Sequence, residues 1–266
     1  MKTVNEGKKC YYSVNEAGVA LMEINNPPMN ALSRPTLADM FDSFSFTKAL
    51  ADDDVRVIVF TGAGKAFIAG ADISEFNAFT TAQEGADFLI PGQEMTNMLQ
   101  NADKPIIAAV NGFCLGGGNE MAIACHIQIA DESAMFGFPE IKLGIIPGYG
   151  GTQRAARRIG TARALELILT GNFLNGKQAE QYGLVNRAVA KGTAVEEAMK
   201  LATTMASKSR ISIQAALRAV NVGITMDLHT AMRYERDLFG VCSASEDKKE
   251  GSSAFMEKRE PKFKDR

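Results

Sequence analysis

Apolar residues fall into two alternating rhythms over the first part of this chain. Mostly apolar runs that read as strands occur at 19–24, 55–60 and 106–110, with a shorter one at 127–130. Asn25-Asn26-Pro27-Pro28 stops the first run, and Thr61-Gly62-Ala63-Gly64 closes the second. Helical spacing lies between them. Ser33 and Pro35 mark a helix start, Leu37, Met40, Phe41 and Phe44 recur at helical spacing, and Asp52-Asp53-Asp54 ends that unit. Residues 81–100 read as another helix, with an interruption expected at Pro91-Gly92. This alternation predicts an α/β core with parallel pairing.

After Gly150 the pattern becomes almost wholly helical, with helices expected at Gly151–Ile159, 162–169, 177–182, 195–205, 211–220 and 228–239. A division is expected between an α/β core over residues 1–195 and a helical region over 196–266. The helical part is too thin for a thick core of its own. Leu165, Leu167, Ile168 and Leu169 are expected to leave apolar surface that a neighbouring subunit covers. No low-complexity linker or repeat of solenoid period is seen.

Composition narrows the class. The 266 residues are 46% hydrophobic, enough for one large domain or a domain with an appendage, and the net charge of −2 gives no general attraction to nucleic acid or anionic membrane. The first ten residues are polar and no apolar run is long enough to span a bilayer, so neither a signal peptide nor a membrane helix is expected. The cysteines, Cys10, Cys114, Cys125 and Cys242, lack the spacing of a metal site and read as reduced, mostly buried side chains. A soluble cytoplasmic protein without a metal is expected. Of the two histidines, His126 ends an apolar helical stretch and His229 lies in a polar one; neither has an evident partner.

Candidate chemistry centres on Gly116-Gly117-Gly118-Asn119-Glu120, which follows the run at 106–110 and precedes Met121-Ala122-Ile123-Ala124. Strand, glycine turn and helix start leave backbone N–H groups unsatisfied at a positive dipole end, where they can bind developing negative charge. Glu120 lies in that first turn, either as a proton-transfer group or only as a favourable first-turn acid. A second acid, Glu140, closes Phe136-Gly137-Phe138-Pro139-Glu140. The segment Ala66-Phe67-Ile68-Ala69-Gly70-Ala71-Asp72-Ile73 is small and apolar after a strand; its amides either face a pocket or belong to a packed loop. Gly171-Asn172-Phe173-Leu174-Asn175-Gly176-Lys177-Gln178 approaches a phosphate-binding loop but has Gln178 where magnesium chemistry needs Ser or Thr, and it follows a helix; Gly171 reads better as a helix C-cap.

Ala69-Gly70-Ala71-Asp72, Gly116-Gly117-Gly118-x-Glu120, Phe136-Gly137-x-Pro139-Glu140, Pro147-Gly148-x-Gly150-Gly151-Thr152-Gln153-Arg154 and Ser253-Ala254-Phe255-x-Glu257-Lys258-Arg259 stand in the order and spacing of the crotonase superfamily, and the chain resembles its enoyl-CoA hydratases. The resemblance implies an α/β spiral of β-β-α units with a helical C-terminal trimerisation region, assembled as trimers or hexamers. It also implies an acyl-CoA thioester substrate, with CoA as part of the substrate and no separate cofactor. Carried onto this chain, it makes the N–H groups of Ala71 and Gly117 the oxyanion hole and Glu120 and Glu140 the catalytic acids. Glu120 is assigned to water and Glu140 to the α-carbon. Ala69, Asp72, Ile73, Phe255 and Lys258 become substrate- or CoA-binding residues, the last two covering a neighbouring subunit's site. Two glutamates favour hydration over isomerisation, since simple isomerases of the superfamily generally use one. An isomerase, a cyclic dienoyl-CoA hydratase and a non-catalytic binding member are the alternatives. Asn119, Phe138, His126 and Ser74 depart from the common pattern; the first two are expected to reshape the acyl pocket, His126 to be structural, and Ser74 to lose a contact with the CoA phosphates.

Overall fold

A computed structural model describes residues 2–4, 8–42 and 45–266. In chain order its first elements are β1 (Lys2–Val4), β2 (Cys10–Val14), β3 (Val19–Ile24), α1 (Arg34–Phe41) and α2 (Phe46–Ala51). Then come β4 (Val57–Gly62), β5 (Ala66–Ile68), α3 (Ala82–Gln100), β6 (Ile106–Val110), β7 (Phe113–Leu115), α4 (Gly117–Ala124), β8 (Ile127–Asp131) and β9 (Met135–Gly137). The remainder is α5 (Gly151–Ile159), α6 (Thr161–Thr170), β10 (Phe173–Asn175), α7 (Gly176–Tyr182), β11 (Arg187–Val189), α8 (Ala194–Ala206), α9 (Arg210–Gly223), α10 (Leu228–Ala244) and α11 (Glu246–Glu257).

Among the described residues, one sheet runs β1-β2-β3-β4-β6-β8-β11 and a second runs β10-β9-β7-β5. The pairs from β3 to β11 in the first sheet are parallel, as are β5, β7 and β9 in the second. The topology repeats. Each of β4, β6 and β8 lies in the first sheet and is followed within a few residues by a short strand, β5, β7 or β9, in the second. The chain thus turns a corner three times, building the spiral of β-β units that the resemblance implies. At the middle corner Asn111 Nδ2 donates to the Gly62 carbonyl at 2.8 Å, tying one turn of the spiral to the previous one.

Period-two alternation explains why β4 and β6 are buried throughout. Ile58 and Phe60 of β4 enter the main core with Ile106 and Ala108 of β6, whereas Val57, Val59, Ile107 and Ala109 face the other way against α8. Helix α8 offers Ala198, Ala202 and Ala206 there, four residues apart, so small side chains let the helix lie close on the sheet.

Several sequence expectations change. The strand at 19–24 and the helix capped by Ser33 stand as read, with Ser33 Oγ accepting from Thr36 N. Phe44 lies outside the described residues. Helix α3 runs through Pro91 without a break, opened by a reciprocal capping box between Thr81 and Glu84 and carried by the buried stripe Phe88, Met95 and Leu99. Of the four α6 residues expected at the surface, Leu165 and Leu169, four apart, are exposed; Leu167 and Ile168 pack inward with Ala164, so that apolar surface is half the expected size. Gly171 ends α6 in the left-handed conformation, and Gln178 completes a capping box with Asn175 on α7. Among the described residues no helix is long and apolar enough to cross a membrane.

Candidate active site

The candidate cleft is lined largely by segments that follow β5, β7 and β9 of the second sheet. Its lining includes Ala69, Gly70, Ala71 and Ile73 from the segment after β5, Gly116, Gly117 and Glu120 from the turn into α4, and Glu140 from the 3-10 turn Pro139–Leu143. The empty volume is about 570 Å³ with its open mouth included. The structure therefore brings together Glu120, Glu140, Ala71, Gly117, Ala69 and Ile73 from segments up to some 70 residues apart. Asp72, Phe255 and Lys258 are not part of this lining. Asp72 instead caps the following turn, its Oδ1 accepting from Ser74 N at 3.0 Å and Ser74 Oγ at 2.7 Å. Phe255 and Lys258 lie exposed at the end of α11.

Gly116 takes φ 51°, a left-handed conformation that turns the chain out of β7 and points the start of α4 at the cleft. A side chain there would also collide with the second acid, since a Cβ on Gly116 would lie 2.7 Å from Glu140 Oε1. The Glu140 carboxylate thus rests on the glycine turn itself. Among the described residues the N–H groups of Ala71 and Gly117 have no acceptor within the chain, while the neighbouring Asp72 N and Gly116 N donate to the Leu32 and Gly137 carbonyls. Two residues with unpartnered N–H groups therefore line one cleft.

Glu120 is held with more care. It is 1% exposed, and its Oε1 accepts hydrogen bonds from Tyr149 N at 2.7 Å and Gly151 N at 2.6 Å. Gly151 opens α5, so the carboxylate also meets the positive end of that helix. The loop that supplies these donors is pinned to α3 from behind. Arg154 Nη1 donates to the Tyr149 carbonyl at 3.0 Å and to Thr96 Oγ1 at 3.1 Å, its Nε donates to Gln100 Oε1 at 2.7 Å, and Gln93 Nε2 donates to the Gly148 carbonyl at 2.8 Å. Gly150, at φ 100°, leaves the space that the Arg154 guanidinium fills.

Electrostatics sets both acids apart from ordinary surface glutamates. Burial pushes Glu120 up to about 8, opposed by the Gly151 and Tyr149 amides and the Arg154 charge and reinforced by the Glu140 charge. Burial likewise pushes Glu140 up to about 7, and its Oε2 is buried without a hydrogen-bond partner. Two carboxyls that each take up a proton near neutral pH suit general acid–base work on one substrate.

The remaining sequence candidates find structural places. Asn119 and Phe138 are fully buried and contribute no surface to the cleft, contrary to the expectation that they shape the acyl pocket; Phe138 packs behind Gly151 instead. His126 Nδ1 accepts from Ile106 N at 2.9 Å and its Nε2 faces the Gln100 carbonyl at 3.2 Å, a neutral ring tying a strand to a helix. Cys10, Cys114 and Cys125 are buried free thiols. Tyr149 and Arg154 were not recognised from sequence as site residues. Their motif, Pro147-Gly148-Tyr149-Gly150-Gly151-Thr152-Gln153-Arg154, is conspicuous, but its role depends on contacts with α3 and α4.

Comparison with known proteins shows the family and the fold. Residues 14–266 match the family model described as enoyl-CoA hydratase/isomerase. The chain is 41% identical over 251 residues to a crotonyl-CoA hydratase of Syntrophomonas wolfei, covering 93% of this chain and 95% of that one. It is 41% identical over 246 residues to a short-chain-enoyl-CoA hydratase of Clostridium acetobutylicum, covering 92% and 93%. The crystal structure of an enoyl-CoA hydratase from Bacillus anthracis superposes with a TM-score of 0.91 at 36% identity, covering 97% of this chain and all of that one. With the family model matching residues 14–266 and relatives of this identity covered nearly end to end, the chain belongs to the enoyl-CoA hydratase/isomerase family.

Proposed function

We propose that this protein adds water reversibly to the double bond of a 2-enoyl-CoA thioester, giving a 3-hydroxyacyl-CoA. The observation that carries the reading is a buried glutamate, Glu120, and a half-buried one, Glu140, beside two unpartnered backbone N–H groups in one cleft. In hydration, Glu120 takes a proton from water as the oxygen bonds to the β-carbon. The double-bond electrons move towards the thioester carbonyl, whose oxygen gains charge and is held by the N–H groups of Ala71 and Gly117. Glu140 then protonates the α-carbon. Dehydration runs the same steps backwards with acid and base exchanged. Burial raises both acids, so each can hold a proton more readily than a surface glutamate, and one pair can serve both directions.

The two-acid arrangement favours this reading over isomerisation, which moves a proton within one substrate and manages with a single carboxylate. Assembly belongs to the same proposal. Val220, Ile224, Leu228, Met232 and Phe239 on α9, α10 and their connection are exposed apolar side chains, as Phe255 is on α11. This surface supports a homotrimer or hexamer in which Phe255 and Lys258 approach a neighbour's CoA.

The test is loss of the enoyl-thioester absorbance of crotonyl-CoA, with the product gaining the mass of one water. Gly117→Pro then probes the oxyanion hole. Proline is tolerated at a first helical position, where it removes the N–H, although a Cβ there lies 3.2 Å from the Tyr149 ring and 3.3 Å from Leu32. A loss of roughly 100- to 1,000-fold in kcat is expected. A Gly117→Pro protein that is folded and fully active removes this donor from the mechanism.

A further inference from the structure

We propose that the Tyr149 ring closes the acyl end of the cleft and restricts this protein to short-chain enoyl groups; the inference rests on the hydration reading above. The cleft has a clear direction. Ile73, Leu143 and Ile146 at its rim are exposed, whereas Phe88 and Tyr149 are 7% and 4% exposed at its inner end. The CoA portion carries charged phosphates that remain in water, so the acyl chain is the part that enters, and its tail travels towards Phe88 and Tyr149.

Tyr149 stands across that path. Its ring faces Gly117 on one side, where an added Cβ would lie 3.2 Å from both Cδ2 and Cε2. On the other side it lies directly against Gly92 of α3, so closely that a Cβ at Gly92 would overlap the ring. No space for a methylene remains between the ring and α3. Phe76 and Phe88, in edge contact at 5.6 Å between centroids, form the adjoining wall. Packing between Gly117 and Gly92 fixes the ring. The ring and backbone of Tyr149 therefore have separable duties. The N–H holds Glu120, and the side chain sets the depth available to the acyl tail. Glycine at position 92 is the matching half of the device, since it alone lets the ring lie back far enough to leave a short cleft open.

The experiment measures kcat/KM for crotonyl-, hexenoyl-, octenoyl- and decenoyl-CoA with the wild type, Tyr149→Ala and Tyr149→Phe. The wild type is expected to fall steeply beyond the shorter chains, since one methylene too many in an apolar pocket costs roughly 10-fold or more. Tyr149→Ala keeps the N–H on Glu120 and opens the end wall, so the octenoyl-to-crotonyl ratio is expected to rise by about 10-fold or more, and Tyr149→Phe is expected to retain the wild-type ratio. Tyr149→Leu, which keeps an apolar but smaller plug, reads the same ratio if the alanine variant does not fold. A wild type that hydrates none of the four overturns the hydratase reading itself. A wild type that prefers long chains, or folded Ala and Leu variants with the wild-type ratio, overturns the role of Tyr149 while leaving hydration standing.

Discussion

The two glutamates of the cleft are held in opposite ways. Glu120 sits on α4, with one carboxylate oxygen fixed by two amides at the start of α5, and those amides are locked by Arg154, Thr96 and Gln93. Glu140 sits in a short 3-10 turn, rests against the glycine at 116, and keeps one buried oxygen without a partner. Burial raises both acids, yet only Glu120 is opposed by a cation, Arg154, and by amides from a separate loop. The difference teaches that a pair of like acids is not a symmetric device. One is aimed by a rigid scaffold, and the other is left with an unfilled bond that a substrate can complete.

Removing the proton from either side of the pair has the largest expected effect. Glu120→Gln and Glu140→Gln are each expected to lower kcat by roughly 100- to 10,000-fold with thioester binding retained, measured by steady-state hydration and by equilibrium binding of a saturated acyl-CoA. Near-full activity in either variant ends the two-acid account.

Loosening the scaffold comes next. Arg154→Gln removes the guanidinium from the Tyr149 carbonyl and removes the charge that favours ionised Glu120, so kcat is expected to fall about 10- to 100-fold. Without that charge Glu120 protonates more readily, and the limb of the kcat/KM profile that reports its ionisation is expected at higher pH. Arg154→Lys restores the charge without the planar fork and is expected to return the limb but not the full rate. A folded Arg154→Gln enzyme with unchanged rate and profile contradicts the bracing role.

The smallest effect is on stability. A carboxyl raised on folding favours the folded state fully below its unfolded value, near 4.5, and loses that advantage as pH rises through about 8. Glu120→Gln carries no charge to bury, so it is expected to melt above the wild type at pH 8.5, by roughly 2–4 °C for each kcal/mol recovered, with the gap closing towards pH 5. Equal melting temperatures across that range contradict the burial cost assigned to Glu120.

Legibility in the sequence followed the length and locality of each feature. The strand at 19–24 and the capped start of α1 were readable because five apolar positions out of six and a Ser-Arg-Pro start act locally. The second sheet was not, since its strands Ala66–Ile68, Phe113–Leu115, Met135–Gly137 and Phe173–Asn175 are too short to show a period and exist only through pairing across the spiral. Helix α11, rich in charge and with a weak apolar stripe, was also missed. Glu120, Glu140, Ala71 and Gly117 could be named from the sequence because family motifs mark them, and the structure gathers all four in one lining. The brace on Glu120 and the wall formed by Tyr149 depend on segments about 30 and 57 residues away, where composition and periodicity carry no signal. Asn119 and Phe138 show the converse error, since sequence neighbours of a catalytic acid on a turn point into the core as readily as into the cleft.

The central claim is that the two acids act as one unit, and the direct measurement is single-turnover hydration of crotonyl-CoA by Glu120→Gln, Glu140→Gln and the double variant under the same conditions. Groups that share one transition state lose nearly everything when either is removed, so the double variant is expected to be no slower than the worse single variant within about threefold. A double variant whose loss equals the product of the two single losses would mean that the carboxyls act independently, and would contradict the account.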